Sequence, residues 1–256
     1  MATADLTGKV ALITGASRGI GAATAARLFA RGADVYLAAN DDALTLEAVA
    51  ATCRRRRAGG CVKFGIFDFL EVNAAEAMVQ AANAAFDRID LLVNNAAIRI
   101  RQPFGDFTHA EFDRMIRVNL AAPLFASQAV LPVMRKQGGG RIIHVASQMG
   151  EVAEHGSTLY GLTKAALIHL TKSMAYELAP EGIIVNAVSP GPTMTEYNRE
   201  RTTRDPELKQ YKLSYIRAGR YGEPEEIAEV IEFLATTRAT YIHGHNLVVD
   251  GGYIIH

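Results

Sequence analysis

Short apolar runs and amphipathic stretches alternate along the whole chain. The first run, Val10-Ala-Leu-Ile13, ends in Thr14-Gly-Ala-Ser-Arg-Gly-Ile-Gly21. An alanine-rich stretch follows to Arg31, with Ile20, Ala23 and Leu28 at helical spacing and Gly32 as its stop. A second run, Val35-Tyr-Leu-Ala38, comes at once. Strand, helix and strand within roughly thirty residues predict a βαβ unit with a right-handed crossover. Further strands are expected near 62–67, 91–94, 141–147, 183–189 and 246–249. Helices are expected near 42–53, 71–86, 108–135, 158–179 and 224–235. Runs such as Leu91-Leu-Val93 and Ile142-Ile-His-Val145 are apolar throughout, as strands buried on both faces must be. The pattern predicts a single doubly wound, Rossmann-type α/β domain over residues 1–256, a seven-stranded parallel sheet with helices on both faces.

One segment breaks the alternation. Between Glu196 and Lys212, nine of seventeen residues are charged. That is too polar for core, so residues 193–219 read either as a lid over a site or as a solvated helical excursion.

Composition narrows the function classes. The chain has 27 Lys+Arg against 27 Asp+Glu, and 49% of its residues are hydrophobic. Zero net charge argues against nucleic-acid binding, and the Arg54–Arg57 run, with no aromatics interleaved, reads as a solvated helix end. Cys53 and Cys61 are too few for a disulfide framework and read as free thiols of a reducing compartment. Met1-Ala-Thr-Ala lacks a basic start before an apolar run, so no leader is expected and the cytoplasm is the expected location. No apolar stretch approaches the ~18 residues of a spanning helix, so no membrane segment is expected. His243 and His245 lack acidic or thiol partners at ligand spacing, so no metal site is expected.

The glycine turn carries the first chemistry. Gly15 lets the strand turn sharply, Gly19 lets backbone approach a phosphate, and Gly21 lets the helix pack close to the strand. The N–H groups of the new helix then face an anion, with Ser17, Arg18 and Ile20 around it. No Gly-Lys-Ser/Thr follows, which excludes a P-loop. At the tip of the second strand, Ala39 stands where a carboxylate would favour NAD, and Asn40 where an arginine would favour NADP. Arg18 could reach a 2′-phosphate while Asp41 and Asp42 could repel one. The choice stays open between NAD and NADP, leaning to NADP. Asp68, with Phe69 beside it, is placed to accept from the adenine amino group.

Tyr160 and Lys164 are four apart on a predicted helix, hence on one face. An ammonium beside a phenol lowers the phenol pKa and makes tyrosine a usable general acid/base. Ser147 ends the preceding strand at the edge where open α/β sheets bind ligands.

In these motifs the chain resembles the short-chain dehydrogenase/reductase family, from Leu6 to Tyr253. The family's glycine motif matches residues 14–21, and its Asn-Asn-Ala-Gly motif appears as Asn94-Asn95-Ala96-Ala97, with Ala97 in place of glycine. The catalytic set matches Asn119, Ser147, Tyr160 and Lys164. Pro190-Gly191 with Thr193 and Thr195 matches the segment that holds the nicotinamide carboxamide, and Asp250-Gly251-Gly252 matches the C-terminal signature. The resemblance implies hydride transfer between an alcohol or ketone and NAD(P). Ser147 would fix the substrate oxygen, Tyr160 would move the proton, and Lys164 would hold the nicotinamide ribose and lower the Tyr160 pKa. Asn119 would hold a water linking Lys164 to solvent. Asn95 and Ala96 would lie by the adenosine ribose. It also implies a homotetramer, built through the helices at 108–135 and 158–179. Two alternatives stay open, reduction of a 3-oxoacyl thioester on acyl carrier protein or CoA, and a cofactor-sensing binding protein without turnover.

Substrate identity is least legible. Candidate walls are residues 98–101, Gln148 and Met149, His155, and Tyr197 on the charged segment. Arg99 and Arg101 could suit an anion, Gln148 and His155 a polyol, and Met149 an apolar ring.

Overall fold

The computed structural model of the chain describes residues 5–255. The N-terminal Met1-Ala-Thr-Ala reading and the two ends of the expected 1–256 domain lie outside the described residues. Seven strands, Val10–Thr14 (β1), Asp34–Ala39 (β2), Val62–Ile66 (β3), Leu91–Asn94 (β4), Gly140–Val145 (β5), Ile183–Pro190 (β6) and Asn246–Val249 (β7), form one sheet. Its order is β3-β2-β1-β4-β5-β6-β7, and every neighbouring pair is parallel. The doubly wound sheet expected from the alternation is therefore present.

Alternate residues of the central strands feed two cores, which is why β1 and β4 are apolar along nearly their whole length. Ala11 and Ile13 face one layer, where Leu28 and Phe29 of Gly19–Ala30 (α1), Leu46 of Ala43–Arg56 (α2) and Ile231 of Pro224–Thr236 (α9) pack. Leu12 faces the other, with Met78 of Ala74–Phe86 (α3), Val130 and Met134 of Ala122–Lys136 (α5), and Leu178 of Thr158–Leu178 (α6). Winding reverses between β1 and β4, so the loops beyond their carboxyl ends part and leave a crevice.

Four details differ from the pattern reading. The helix expected over 108–135 is His109–Ile116 (α4) and α5 joined by a π-helical turn, Arg117–Ala121, which carries the fully buried Asn119. Such turns place an extra residue in the helix and often accompany functional sites. Taken as one helix of 28 residues, His109–Lys136 is long and apolar enough by length and composition to cross a membrane, which corrects the expectation of none. Its Met115, Ala126, Val130 and Met134 instead pack against the protein's own core.

The charged segment forms two short helices, Glu196–Arg204 (α7) and Pro206–Tyr215 (α8). Each starts on a side-chain cap, Thr195 for α7 and Asp205 for α8, and Pro206 opens the second. β5 stops two residues before Ser147, whose hydroxyl accepts from the Met149 N–H at 3.1 Å and starts a 3₁₀ turn. Arg54, Arg55 and Arg56 do form the basic last turn of α2, but Arg57 lies beyond it, over the Phe29 ring at 4.4 Å.

Candidate active site

The glycine turn is stapled from the side by the β4 loop. Thr14 Oγ1 accepts from the Asn95 and Ala96 N–H groups at 2.9 and 3.0 Å. Asn95 Nδ2 donates to the Thr14 and Gly15 carbonyls at 2.9 and 3.1 Å. Gly15 has φ +62°, and a Cβ there would stand 2.9 Å from Ala96 Cα. A Cβ on Gly21 would lie 2.1 Å from the Gly15 carbonyl oxygen. No side chain caps the start of α1, and no acidic residue stands in its first turn. The first N–H groups of α1 therefore face the crevice free to meet an anion.

At the tip of β2, Asp41 accepts from the Ser17 hydroxyl at 2.5 Å and pairs with Arg18. Asp41 thus pairs with Arg18, the cation that the sequence offers to a 2′-phosphate. Asp68 turns back on its own loop, accepting from the Leu70 N–H at 3.0 Å, and still lines the crevice with Phe69.

Tyr160 and Lys164 stand on the sheet-facing side of α6. Lys164 is 2% exposed and donates to the Val145 carbonyl at 2.8 Å, and burial brings its ammonium down to about 7. Burial pushes the Tyr160 phenol up; the Arg99 charge and the Ser147 hydroxyl pull the other way without overcoming it. The expected lowering by Lys164 is not realised in this arrangement. Its Nζ sits 5.7 Å from the ring centroid and is engaged by a carbonyl. The cation nearest the phenol ring is Arg99, with its guanidinium carbon 4.9 Å from the centroid.

Asn119 is held in place by protein partners. Its Oδ1 accepts from the Ile98 N–H at 2.8 Å, and its Nδ2 donates to the Ile98 carbonyl at 2.9 Å and to Thr163 Oγ1 at 3.2 Å. Through these three bonds the side chain clamps the β4 loop to α6 one residue before Lys164.

These parts line one cleft of about 520 Å³ at the carboxyl edge of the sheet, a volume in the range of small-ligand sites. Gly15, Ser17, Arg18, Gly19, Ile20, Asn40, Asp68, Phe69, Asn95, Ala96, Pro190, Gly191, Thr193 and Thr195 line it. So do Ser147, Tyr160, Lys164, Gln148, Met149 and Tyr197. Of the expected residues, Ile100 and Arg101 do not line it, nor do Gly21, Asn119 and His155. Gly21 lies beneath the turn, Asn119 lies behind the β4 loop, and His155 is exposed. His155 offers only its carbonyl, to Arg101 Nη2 at 3.1 Å, because the preceding Glu154 is the side chain drawn inward.

Glu154, Arg201 and Lys212 line the cleft without having been singled out in the sequence. The charge density of 196–212 is the signal for Arg201 and Lys212, and Glu154 lies outside that stretch with no such signal. Burial alone would push the Glu154 carboxyl up, yet Lys212, Arg99 and Arg101 together hold it below the usual carboxylate range.

The cleft fits a dinucleotide on three counts. A Cβ would fill the turn at Gly15 and Gly21, the α1 N-terminus is uncapped, and the buried Gln148 Oε1 has no hydrogen-bond partner beside Gly191. At its centre, a phenol and a hydroxyl converge near a buried amine, a set able to hold an oxygen and move its proton.

Comparison with known proteins agrees with this geometry. A family model described as Enoyl-(Acyl carrier protein) reductase matches residues 15–254. Cyclopentanol dehydrogenase of Comamonas sp. (strain NCIMB 9872) is 36% identical over 245 residues, 96% of each chain. The 3-oxoacyl-acyl-carrier-protein reductase FabG of Vibrio harveyi is 38% identical over 97% of this chain and 98% of its own. The crystal structure of a blue fluorescent protein from a metagenomic library, in complex with NADPH, superposes with TM-score 0.90 at 34% identity, covering 98% and 99% of the two chains. The chain belongs to the short-chain dehydrogenase/reductase family.

Proposed function

We propose that the protein is an NAD(P)-dependent alcohol dehydrogenase and carbonyl reductase that interconverts a secondary alcohol and a ketone, with NADP(H) preferred. The observation that carries this reading is the meeting of Ser147, Tyr160 and Lys164 with the glycine turn in one cleft. A bound nicotinamide would supply the hydride acceptor for a carbinol carbon, or the hydride donor for a carbonyl carbon. Ser147 and Tyr160 hold the substrate oxygen between them. Tyr160 takes its proton in oxidation and gives one in reduction. Lys164 would hold the nicotinamide ribose, and Asn119 keeps the β4 loop and α6 in register as a positioning residue.

Arg18 and the NADPH of the metagenomic neighbour support NADP(H). A Tyr160 phenol with a raised pKa is in its acid form near neutrality. Reduction is therefore expected to run best at neutral or lower pH, and oxidation to rise as the pH climbs. Tyr160→Phe is expected to leave NADPH binding intact and to lower kcat by about a thousandfold. Full turnover in that variant would overturn the reading.

The FabG relative favours a second reading, reduction of a 3-oxoacyl thioester. Faster NADPH oxidation with acetoacetyl-CoA than with free ketones would select it. We also propose that helices α7 and α8 act as a lid within one catalytic domain, that the enzyme is cytoplasmic, and that it is a homotetramer. Two free cysteines, Cys53 and Cys61, support the reducing compartment. Exposed Phe112, Phe125, Leu162 and Tyr176 on α4, α5 and α6 support association through those helices. Light scattering of the purified protein tests the assembly directly.

A further inference from the structure

The end of the cleft beyond Tyr160, away from the glycine turn, is built from charged side chains. Arg99 and Arg101 follow β4, Glu154 precedes α6, Arg201 lies on α7 and Lys212 on α8. Glu154 is the acid of this group, and its side chain is only 5% exposed. It accepts from Arg101 Nη1 at 2.7 Å and pairs with Lys212. Those two contacts use its charge, and Arg99 stands further off at 3.6 Å.

Arg99, Arg201 and Lys212 line this end against one lining carboxylate, Glu154, which also pairs with Arg101 outside the lining, so the group stays net positive. Other acids of the lining lie elsewhere, Asp41 at the β2 tip, Asp68 on the loop after β3 and Glu196 beside Gly19. Arg201 is half-buried and has no acid within ion-pair distance among the described residues. Arg99 donates through Nη2 to Ser157 Oγ at 2.7 Å, but its buried Nε has no partner. Burial and the neighbouring Arg101 both disfavour the Arg201 charge. Unneutralised cations held in a partly dry cleft are costly, and that cost is offset when an anion enters.

The position of Arg99 sets where that anion would sit. Its guanidinium lies over the Tyr160 ring, so a group bound to it is within a few bonds of the carbon that Tyr160 serves. Arg201, with no acid partner among the described residues, can present two parallel donors that match the two oxygens of a carboxylate, while Arg99 adds its charge beside the ring. We propose that the substrate is an alcohol or ketone that carries a carboxylate, held by Arg99 and Arg201 beside Tyr160. This deepens the dehydrogenase reading and rests on it for the chemistry, though not for the binding.

The test is binding first and turnover second. Thermal melts are run with D-gluconate and 3-hydroxybutyrate, each against its neutral counterpart, D-sorbitol or 1,3-butanediol, with and without NADPH. At least one acid is expected to raise Tm in a dose-dependent way where its neutral counterpart does not. Arg201→Met is expected to weaken that acid's binding at least tenfold, with partial recovery in Arg201→Lys. NADPH titration of each variant reports whether it is folded, and Arg99→Met provides a second, independent loss. Turnover with NADP+ should then prefer the acid over the neutral alcohol by at least tenfold, a preference that falls in both methionine variants. Neutral alcohols that bind as well as the acids, or acids that give no shift at all, would overturn the proposal. Acid binding that tracks Arg201 without any hydride transfer would leave the carboxylate site standing and overturn the dehydrogenase reading instead.

Discussion

At the glycine turn, the contacts that define the site come from backbone and from one asparagine. Gly15 and Gly21 leave no room for a Cβ, and Asn95 ties the turn to the β4 loop. At the opposite end of the same cleft, the surface is made by long charged side chains from four separate segments around Glu154. The first end is a shape that few sequences can make. The second is a charge balance, which many sequences could make with different residues. Shape at one end suits a cofactor common to a family, and adjustable charge at the other suits a substrate particular to one member.

Gly21→Val breaks the comparison at its rigid end. The new side chain meets the Gly15 carbonyl, which cannot swing away without reshaping the turn. NADPH binding should weaken at least a thousandfold, about 4 kcal/mol, by fluorescence titration. Wild-type affinity would show that the turn is not the binding element.

Glu154→Gln probes the charged end. It leaves Lys212, Arg101 and Arg99 facing each other in a partly buried space. A loss of about 3 kcal/mol in urea unfolding is expected at neutral pH. Lys212→Met in the same chain should restore part of it, since the pair is then removed whole. A neutral result for the single variant would mean that water already screens this end.

Lys164 joins the two ends, and its pH dependence sharpens the contrast. Its folded pKa of about 7 lies below the model-peptide value of 10.5. Between those values the unfolded chain holds a proton that the folded chain lacks, so stability rises with pH across the window. The Lys164 contribution amounts to about 1.4 kcal/mol per pH unit, and Lys164→Met should flatten the slope by that amount. An unchanged slope would place the lysine charge in the folded protein.

Asp41→Asn gives the smallest effect. It releases Arg18 from its acid partner while keeping an acceptor for Ser17. The ratio of NADPH to NADH affinity should rise by up to tenfold, about 1.4 kcal/mol. No change would mean that Arg18 does not meet the 2′-phosphate.

What could be read from the sequence follows the same division. Strands such as Leu91–Asn94 and Asn246–Val249 announce themselves because continuous apolar runs have one use in a covered parallel sheet. The glycine turn is legible because its spacing is a backbone requirement. Helices α7 and α8 carry no apolar periodicity, so their local signals are the caps at Thr195 and Asp205 and the opening Pro206. The π turn at Asn119 leaves the 3.6-residue pattern almost undisturbed and is invisible for that reason. His155 was singled out where Glu154 points inward, because the loop gives no periodicity to separate neighbours. The weak reach of Lys164 toward Tyr160 depends on a carbonyl, Val145, that no spacing rule brings to the amine.

The central claim is that this cleft holds a nicotinamide dinucleotide against Tyr160. The most direct measurement is titration of the purified chain with NADPH and with NADH, followed by nicotinamide fluorescence. The signal is clean because the chain contains 0 tryptophan. Saturation at one NADPH per chain, tighter than NADH and abolished by Gly21→Val, is the predicted result. A folded protein that binds neither form would contradict the cofactor site and the oxidoreductase reading built upon it.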